Sequence, residues 1–170
     1  MNILLVGNGA REHCLAEALT KTPQNSLFTA CKSLNPGLKR LSKKVLQTQL
    51  NDFPKIISFA TQNKCELAVI GPENPLADGI ADALLDAGIA CFGPTQKMAE
   101  LESSKAFTRQ LMHEFKINGL PRFQVFDSND GLNSFVDSLG EFVVKQDGLA
   151  GAKGVLVQGD HFKTRQEGIE

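Results

Sequence analysis

The chain has 170 residues, with 18 basic against 19 acidic side chains and a net charge of −1, long enough to bury a real core. That balance excludes the strongly basic face expected of a nucleic-acid binder. The apolar run Ile3-Leu4-Leu5-Val6 is too short for a signal peptide or a membrane span, so a soluble cytoplasmic protein without membrane partners is expected.

Asn2 to Val6 reads as a buried strand that stops at Gly7. Ala10 to Thr20 has helical periodicity with Leu15, Ala18 and Leu19 on one face. A short strand over Ser26 to Ala30 is followed by an expected loop from Ser33 to Leu41, carrying Pro36-Gly37. Asp52 to Gln62 is amphipathic, with Asp52 as N-cap and Pro54 in the first turn. Leu67 to Ile70 is a buried strand, Leu76 to Ala87 a helix ended by Gly88, and Ile89 to Phe92 a further strand. Short apolar strands alternating with amphipathic helices predict an α/β fold with a doubly wound parallel sheet over about the first hundred residues.

A helix from Ser103 to Phe115 follows, with Ser103 or Ser104 capping and Phe107, Leu111 and Phe115 forming its stripe. Beyond Pro121 come a strand (Arg122 to Phe126), a helix (Gly131 to Leu139), a strand (Phe142 to Lys145), a glycine-rich loop and a strand (Val155 to Gln158), a small α+β unit. The four cysteines form no C-x-x-C pair and sit among small or apolar neighbours, so buried free thiols are expected rather than a metal site.

Three segments carry chemistry. The run from Lys145 to Gly154 pairs small residues, which let backbone N–H groups approach an anion, with lysine point charges, and reads as a nucleotide-phosphate clamp. Gly7-Asn8-Gly9-Ala10-Arg11-Glu12 links strand 1 to a helix N-terminus, where unpaired N–H groups and the helix dipole favour an anion. Dinucleotide binding is disfavoured, because Glu12 stands where G-x-G-x-x-G needs glycine and Leu27 to Cys31 holds no acidic residue for a ribose. A smaller phosphate beside Arg11 and a tight turn without ligand both remain open. Gly71-Pro72-Glu73 leaves the carboxyl end of a buried strand, either aiming a carboxylate into the crevice or forming a rigid turn. Lys105, in a first helical turn, runs against the dipole preference, so it either meets a ligand or solubilises the surface. His13 reads as a turn or core residue, and His113 and His161 as surface residues. No Ser-His-Asp or Cys-His set supports nucleophilic catalysis.

Taken in order, ILLVGNGAREH, AVIGPENPLADGIADALLDAGIACFGPT, LESSKAFTRQLM and FVVKQDGLAGAKGV resemble the N-terminal portion of the phosphoribosylamine–glycine ligase family of ATP-grasp enzymes. The resemblance implies an N-terminal substrate-binding domain over residues 1–102, a linking helix over 103–121 and an incomplete lid subdomain of the ATP-grasp domain over 122–170. It implies that Gly9, Ala10, Arg11, Glu12, Gly71, Pro72 and Glu73 help to hold 5-phosphoribosylamine. Lys105, Lys145, Asp147, Gly148, Gly151, Lys153 and Gly154 are implied to bind ATP. The implied reaction activates glycine as an acyl phosphate, with Mg²⁺ or Mn²⁺, and passes it to the amine of phosphoribosylamine in purine biosynthesis.

Two small departures concern the loops, where Gly9-Ala10 replaces the usual Gly-Gly and Gly151-Ala152 the usual Ala-Gly. Family members are well over twice as long, so the chain is expected to be a truncated enzyme, inactive alone, with no catalytic or metal-binding residues of its own and metal ligands downstream of Glu170. The alternatives are a non-enzymatic module for a phosphorylated ligand, and a sister ATP-grasp purine enzyme.

Overall fold

A computed structural model describes residues 1–151 and 153–169. The chain divides into two compact units, Met1–Ala99 and Glu100–Glu170.

In the first unit five parallel strands form a sheet in the order β3-β2-β1-β4-β5. These are β1 (Asn2–Val6), β2 (Ser26–Cys31), β3 (Ser42–Gln47), β4 (Leu67–Ile70) and β5 (Ala90–Phe92). β1 is central, with Leu4 aligned to Phe28 of β2 and Ala68 of β4. Its side chains feed both faces, as a strand in a doubly covered parallel sheet must. Leu4 and Val6 pack with Ile56, Ala60, Ile80 and Leu84, while Ile3 and Leu5 pack with Ala16, Leu27, Leu38 and Val69. The first face is covered by α3 (Phe53–Gln62) and α5 (Ile80–Asp86), the second by α1 (Ala10–Thr20) and α2 (Pro36–Leu41). Asp52 caps α3 by accepting from the Lys55 N–H.

Several expectations are corrected. Residues 36–41 are helix rather than loop, because the Asn35 side chain accepts from the N–H groups of Gly37 and Leu38 and Pro36 opens the helix. The chain then forms β3, an edge strand whose exposed Lys43 and Lys44 hide its pattern and guard its open edge. The single helix expected over 76–87 is two, α4 (Glu73–Ala77) and α5, parted at Gly79 with φ of 95°. α5 does end at Gly88, whose N–H bonds to Leu85 while Ile89 reaches back to Leu84, a Schellman closure. On α1, Ala16 rather than Ala18 enters the core, and Cys14 is exposed while Cys31 and Cys65 are buried. An unexpected helix, α6 (Gln96–Ser103), begins with the Gln96 N–H on the Asp82 carboxylate at 2.7 Å.

The second unit contains α7 (Lys105–Glu114), α8 (Leu132–Asp137), an antiparallel pair β6 (Val143–Lys145) and β7 (Val155–Val157), and α9 (Arg165–Ile169). Ser104 caps α7, accepting from the Phe107 N–H at 3.0 Å. None of the stripe Phe107, Leu111 and Phe115 is buried. The core is small: Val136, Phe142 and Phe162, with Leu132, Leu139 and Ile169 around it. Residues 122–126 form no strand, since no described segment pairs with them; the Arg122 guanidinium instead bonds the carbonyl and hydroxyl of Ser138. Among the described residues no helix is long and apolar enough to cross a membrane.

Candidate functional site

From β1 the chain winds outward to β2 and β3, then returns to place β4 on the other side of β1. The strand order therefore reverses between β1 and β4, where an open α/β sheet offers a crevice at its carboxyl edge. The loops flanking that crevice are Gly7–Gly9 and Gly71–Glu73, so the sequence-derived residues Gly9, Ala10, Arg11, Glu12, Gly71, Pro72 and Glu73 meet here.

Gly9 is the N-cap of α1, and helix geometry leaves the N–H groups of Ala10, Arg11 and Glu12 without intrahelical acceptors. Ala10 occupies the first helical position, a conformation its methyl group tolerates without cost. Arg11 spans the crevice: its Nε donates to the Glu12 carboxylate at 3.2 Å and an Nη to that of Glu73 at 3.1 Å. The Glu73 N–H and then the Arg11 guanidinium hold the Glu73 carboxyl below its usual range, against an upward push from burial. Glu73 and then Glu12 push the Arg11 guanidinium up, against a downward push from burial. Arg11 remains largely exposed, with its Nη1 edge unpartnered among the described residues.

One contributor escaped the sequence reading. Asn35 donates to the Asn8 carbonyl at 3.1 Å, tying the start of α2 to the anion loop. The signal for it was the Asn-Pro pair, an N-cap followed by a first-turn proline. His13 lies half-buried against Gly37, where a Cβ would fall 2.8 Å from the ring's Cδ2, so this glycine lets α1 and α2 approach.

In the second unit the loop between β6 and β7 closes through the Gln146 N–H on the Gly154 carbonyl at 2.8 Å. Gly148 and Gly151 adopt φ of 88° and 54°, in the region that favours glycine. Gly154 has no room for a Cβ, which would stand 2.7 Å from that of Ala150. Lys153 bonds back to the Ala150 carbonyl through its backbone N–H. The loop is joined to α7: Asp147 accepts from the N–H groups of Lys105 and Ala106 and from the Ser104 hydroxyl, and the Lys105 ammonium donates to the Gly148 carbonyl at 2.7 Å. Lys105, Asp147 and Gly148 thus come together. The Lys145 side chain, at the end of β6, is exposed and unpartnered among the described residues. Ala152, which stands where the family usually has glycine, lies outside the described residues. Among the described residues no cluster of three or more His, Cys, Asp or Glu could hold a metal ion.

Comparison with known proteins decides the family. Residues 1–102 match the model of the phosphoribosylglycinamide synthetase N domain, and residues 103–170 that of its ATP-grasp (A) domain. The chain belongs to the phosphoribosylglycinamide synthetase family. It is 44% identical to the phosphoribosylamine–glycine ligase of Methanococcus maripaludis over 172 aligned residues, covering 98% of this chain and 39% of that protein. With the ligase of Methanococcoides burtonii it shares 40% identity over 95% of this chain and 38% of the relative. The chain therefore spans under two fifths of the length of these curated relatives.

Among solved structures, phosphoribosylglycinamide synthetase from Anaerococcus prevotii matches with a TM-score of 0.65 at 12% identity, over 99% of this chain and 40% of that one. N5-carboxyaminoimidazole synthetase from Staphylococcus aureus, complexed with ADP, gives a TM-score of 0.74 at 18% identity, over 99% and 43%. At these identities the likeness concerns the fold: an α/β N-terminal domain followed by the start of an ATP-grasp domain.

Proposed function

We propose that this chain is the N-terminal part of an ATP-dependent ligase that joins glycine to 5-phosphoribosylamine in the cytoplasm. The observation that carries this reading is the crevice between β1 and β4, where unpaired N–H groups of α1 and the open edge of Arg11 converge. A phosphate monoester suits it, because backbone N–H groups, the helix dipole and a fixed guanidinium all favour a dianion. The matches to phosphoribosylamine–glycine ligases support reading that group as the phosphate of phosphoribosylamine.

The second unit supplies the nucleotide side. Lys105, Lys145 and Lys153, with the glycines flanking them, are the residues assigned to the phosphates of ATP. In the reaction the glycine carboxylate attacks the γ-phosphorus and ADP leaves. The amine of phosphoribosylamine then attacks the resulting acyl phosphate, releasing phosphate and leaving the amide. The work assigned to this chain is binding, orientation and neutralisation of phosphate charge.

Amide chemical-shift mapping tests the assignment. Ribose 5-phosphate is expected to move the signals of Asn8 to Glu12 and of Gly71 to Glu73, and ATP those of Lys105 and of Lys145 to Gly154. Coincident or absent shifts would sink it.

A further inference from the structure

We infer that Glu12 is a positioning residue: its buried carboxylate fills a socket lined by Gly7, Gly9 and Gly71, locks the two crevice loops together and aims Arg11. The aim at phosphate rests on the reading given under Proposed function; the socket does not.

Among the described residues Glu12 is the one buried charged side chain, only 4% exposed. A charge in that position is costly unless it is paired and hydrogen-bonded. Glu12 meets both needs within its own loop, taking the Gly9 N–H on one oxygen and the Arg11 Nε on the other. Each oxygen holds a partner, and the side chain is almost wholly enclosed.

The glycines explain the arrangement. A Cβ at Gly7 would stand 2.6 Å from the Glu12 Cγ, one at Gly9 2.9 Å from its Oε2, and one at Gly71 2.6 Å from its Cδ. Gly7 also has φ of 124°, so its backbone needs glycine regardless. Gly9 and Gly71 lie outside the left-handed region, so an alanine there would meet no backbone penalty. Their requirement is space, and Glu12 is what takes it. Gly7 and Gly9 come from the loop after β1 and Gly71 from the loop after β4, so one side chain sets the gap between the walls of the crevice.

The effect on Arg11 follows. With Nε held by Glu12 and one Nη by Glu73, the planar fork has a single orientation, and its Nη1 edge is presented in advance. Without Glu12 the guanidinium keeps only the exposed Glu73 contact.

A double-mutant cycle and a spectroscopic readout test this on the 170-residue chain. Gly71→Ala is expected to lower the melting temperature by about 5–15 °C in the presence of Glu12 and by under about 2 °C in the Glu12→Ala background. Equal losses in both backgrounds would overturn the socket. In Glu12→Gln, which keeps the shape but turns one acceptor oxygen into a donor and removes the charge, the protection of the Arg11 Nε–H signal is expected to weaken and the affinity for ribose 5-phosphate to fall at least ~10-fold. A purely structural glutamate would leave both unchanged once folding is matched, and that result would overturn the positioning role. Gly71→Ala displaces the carboxylate without removing it, so it reads the same loss of affinity should Glu12→Gln fail to fold. Wild-type protein that binds no ribose 5-phosphate would refute the aim at phosphate, while the cycle and the Nε–H signal would still decide the socket.

Discussion

The carboxylate of Asp147 accepts the backbone N–H of Lys105 at 2.6 Å, while the ammonium of Lys105 donates to the carbonyl beside it, that of Gly148, at 2.7 Å. Two residues distant in sequence thereby fix each other. The acid satisfies the orphan donors of a helix N-terminus, and the base satisfies a loop carbonyl. Asp147 also stands two residues beyond Lys145, so the same bond sets where both lysines emerge.

Asp147→Ala removes that second cap. The expected cost is about 1 kcal/mol in the second unit, with faster amide exchange at Lys105 and Ala106. Asp147→Asn, which retains an acceptor oxygen, should lose less. Hydrogen exchange followed by NMR reads both, and unchanged protection in Asp147→Ala would contradict the tether.

Acid should loosen both loops. Burial pushes the Asp147 carboxyl up, but bonds from Ala106, Ser104, Gly148 and Lys105 outweigh it and hold the group below its ordinary 3.8. Glu73 is likewise held below its ordinary 4.5 by its own N–H and by Arg11. A depressed carboxyl stabilises the fold above its unfolded value, and that contribution disappears as pH falls through the folded one. Stability should therefore decline from about pH 4.5 downward. Urea unfolding at stepped pH should find a shallower decline in Glu73→Gln than in the wild type.

The thiols should separate by access. Cys14 is exposed, Cys31 is buried, and burial first, with nearby Glu66 and Asp82 adding to it, lifts Cys65 and Cys91 to about 11. Reactivity follows thiolate fraction and exposure. One fast-reacting thiol in the folded chain, abolished by Cys14→Ser, is expected with a disulfide reagent, and the remainder should react only on unfolding.

Gly154→Val should open the glycine loop, since even a Cβ would stand 2.7 Å from that of Ala150 and 3.2 Å from that of Gln146. The expected sign is loss of the bond from Gln146 to Gly154 and weaker ATP binding, with the first unit's melting unaffected. Calorimetry with ATP checks the affinity, and amide exchange at Gln146 checks the closure.

Much of the fold was legible because the physics was local. The apolar runs at Asn2–Val6 and Leu67–Ile70 can only be strands buried on both faces, and Asp52 with Pro54 marks a helix start without ambiguity. Elements escaped where tertiary context decided. β3 carries two lysines because it lies at an edge, α2 depends on the Asn35 side chain, and Gly79 breaks a helix whose apolar pattern runs on past it. Residues 122–126 have a strand's composition and no strand beside them. The crevice residues were legible as a set, since both loops leave strand ends. The role of Glu12 was not, because a glutamate in a helix's first turn looks like an ordinary capping residue until glycines from two loops are found against it.

On the proposed function, the crevice between β1 and β4 binds a phosphate monoester through Arg11. Calorimetric titration of the 170-residue chain with ribose 5-phosphate, in the wild type and in Arg11→Met, tests it most directly. Saturable binding is expected in the wild type, weakened at least ~10-fold in Arg11→Met, consistent with loss of a charge-assisted hydrogen bond. Equal affinity in the two proteins, or no binding in the wild type, would contradict it.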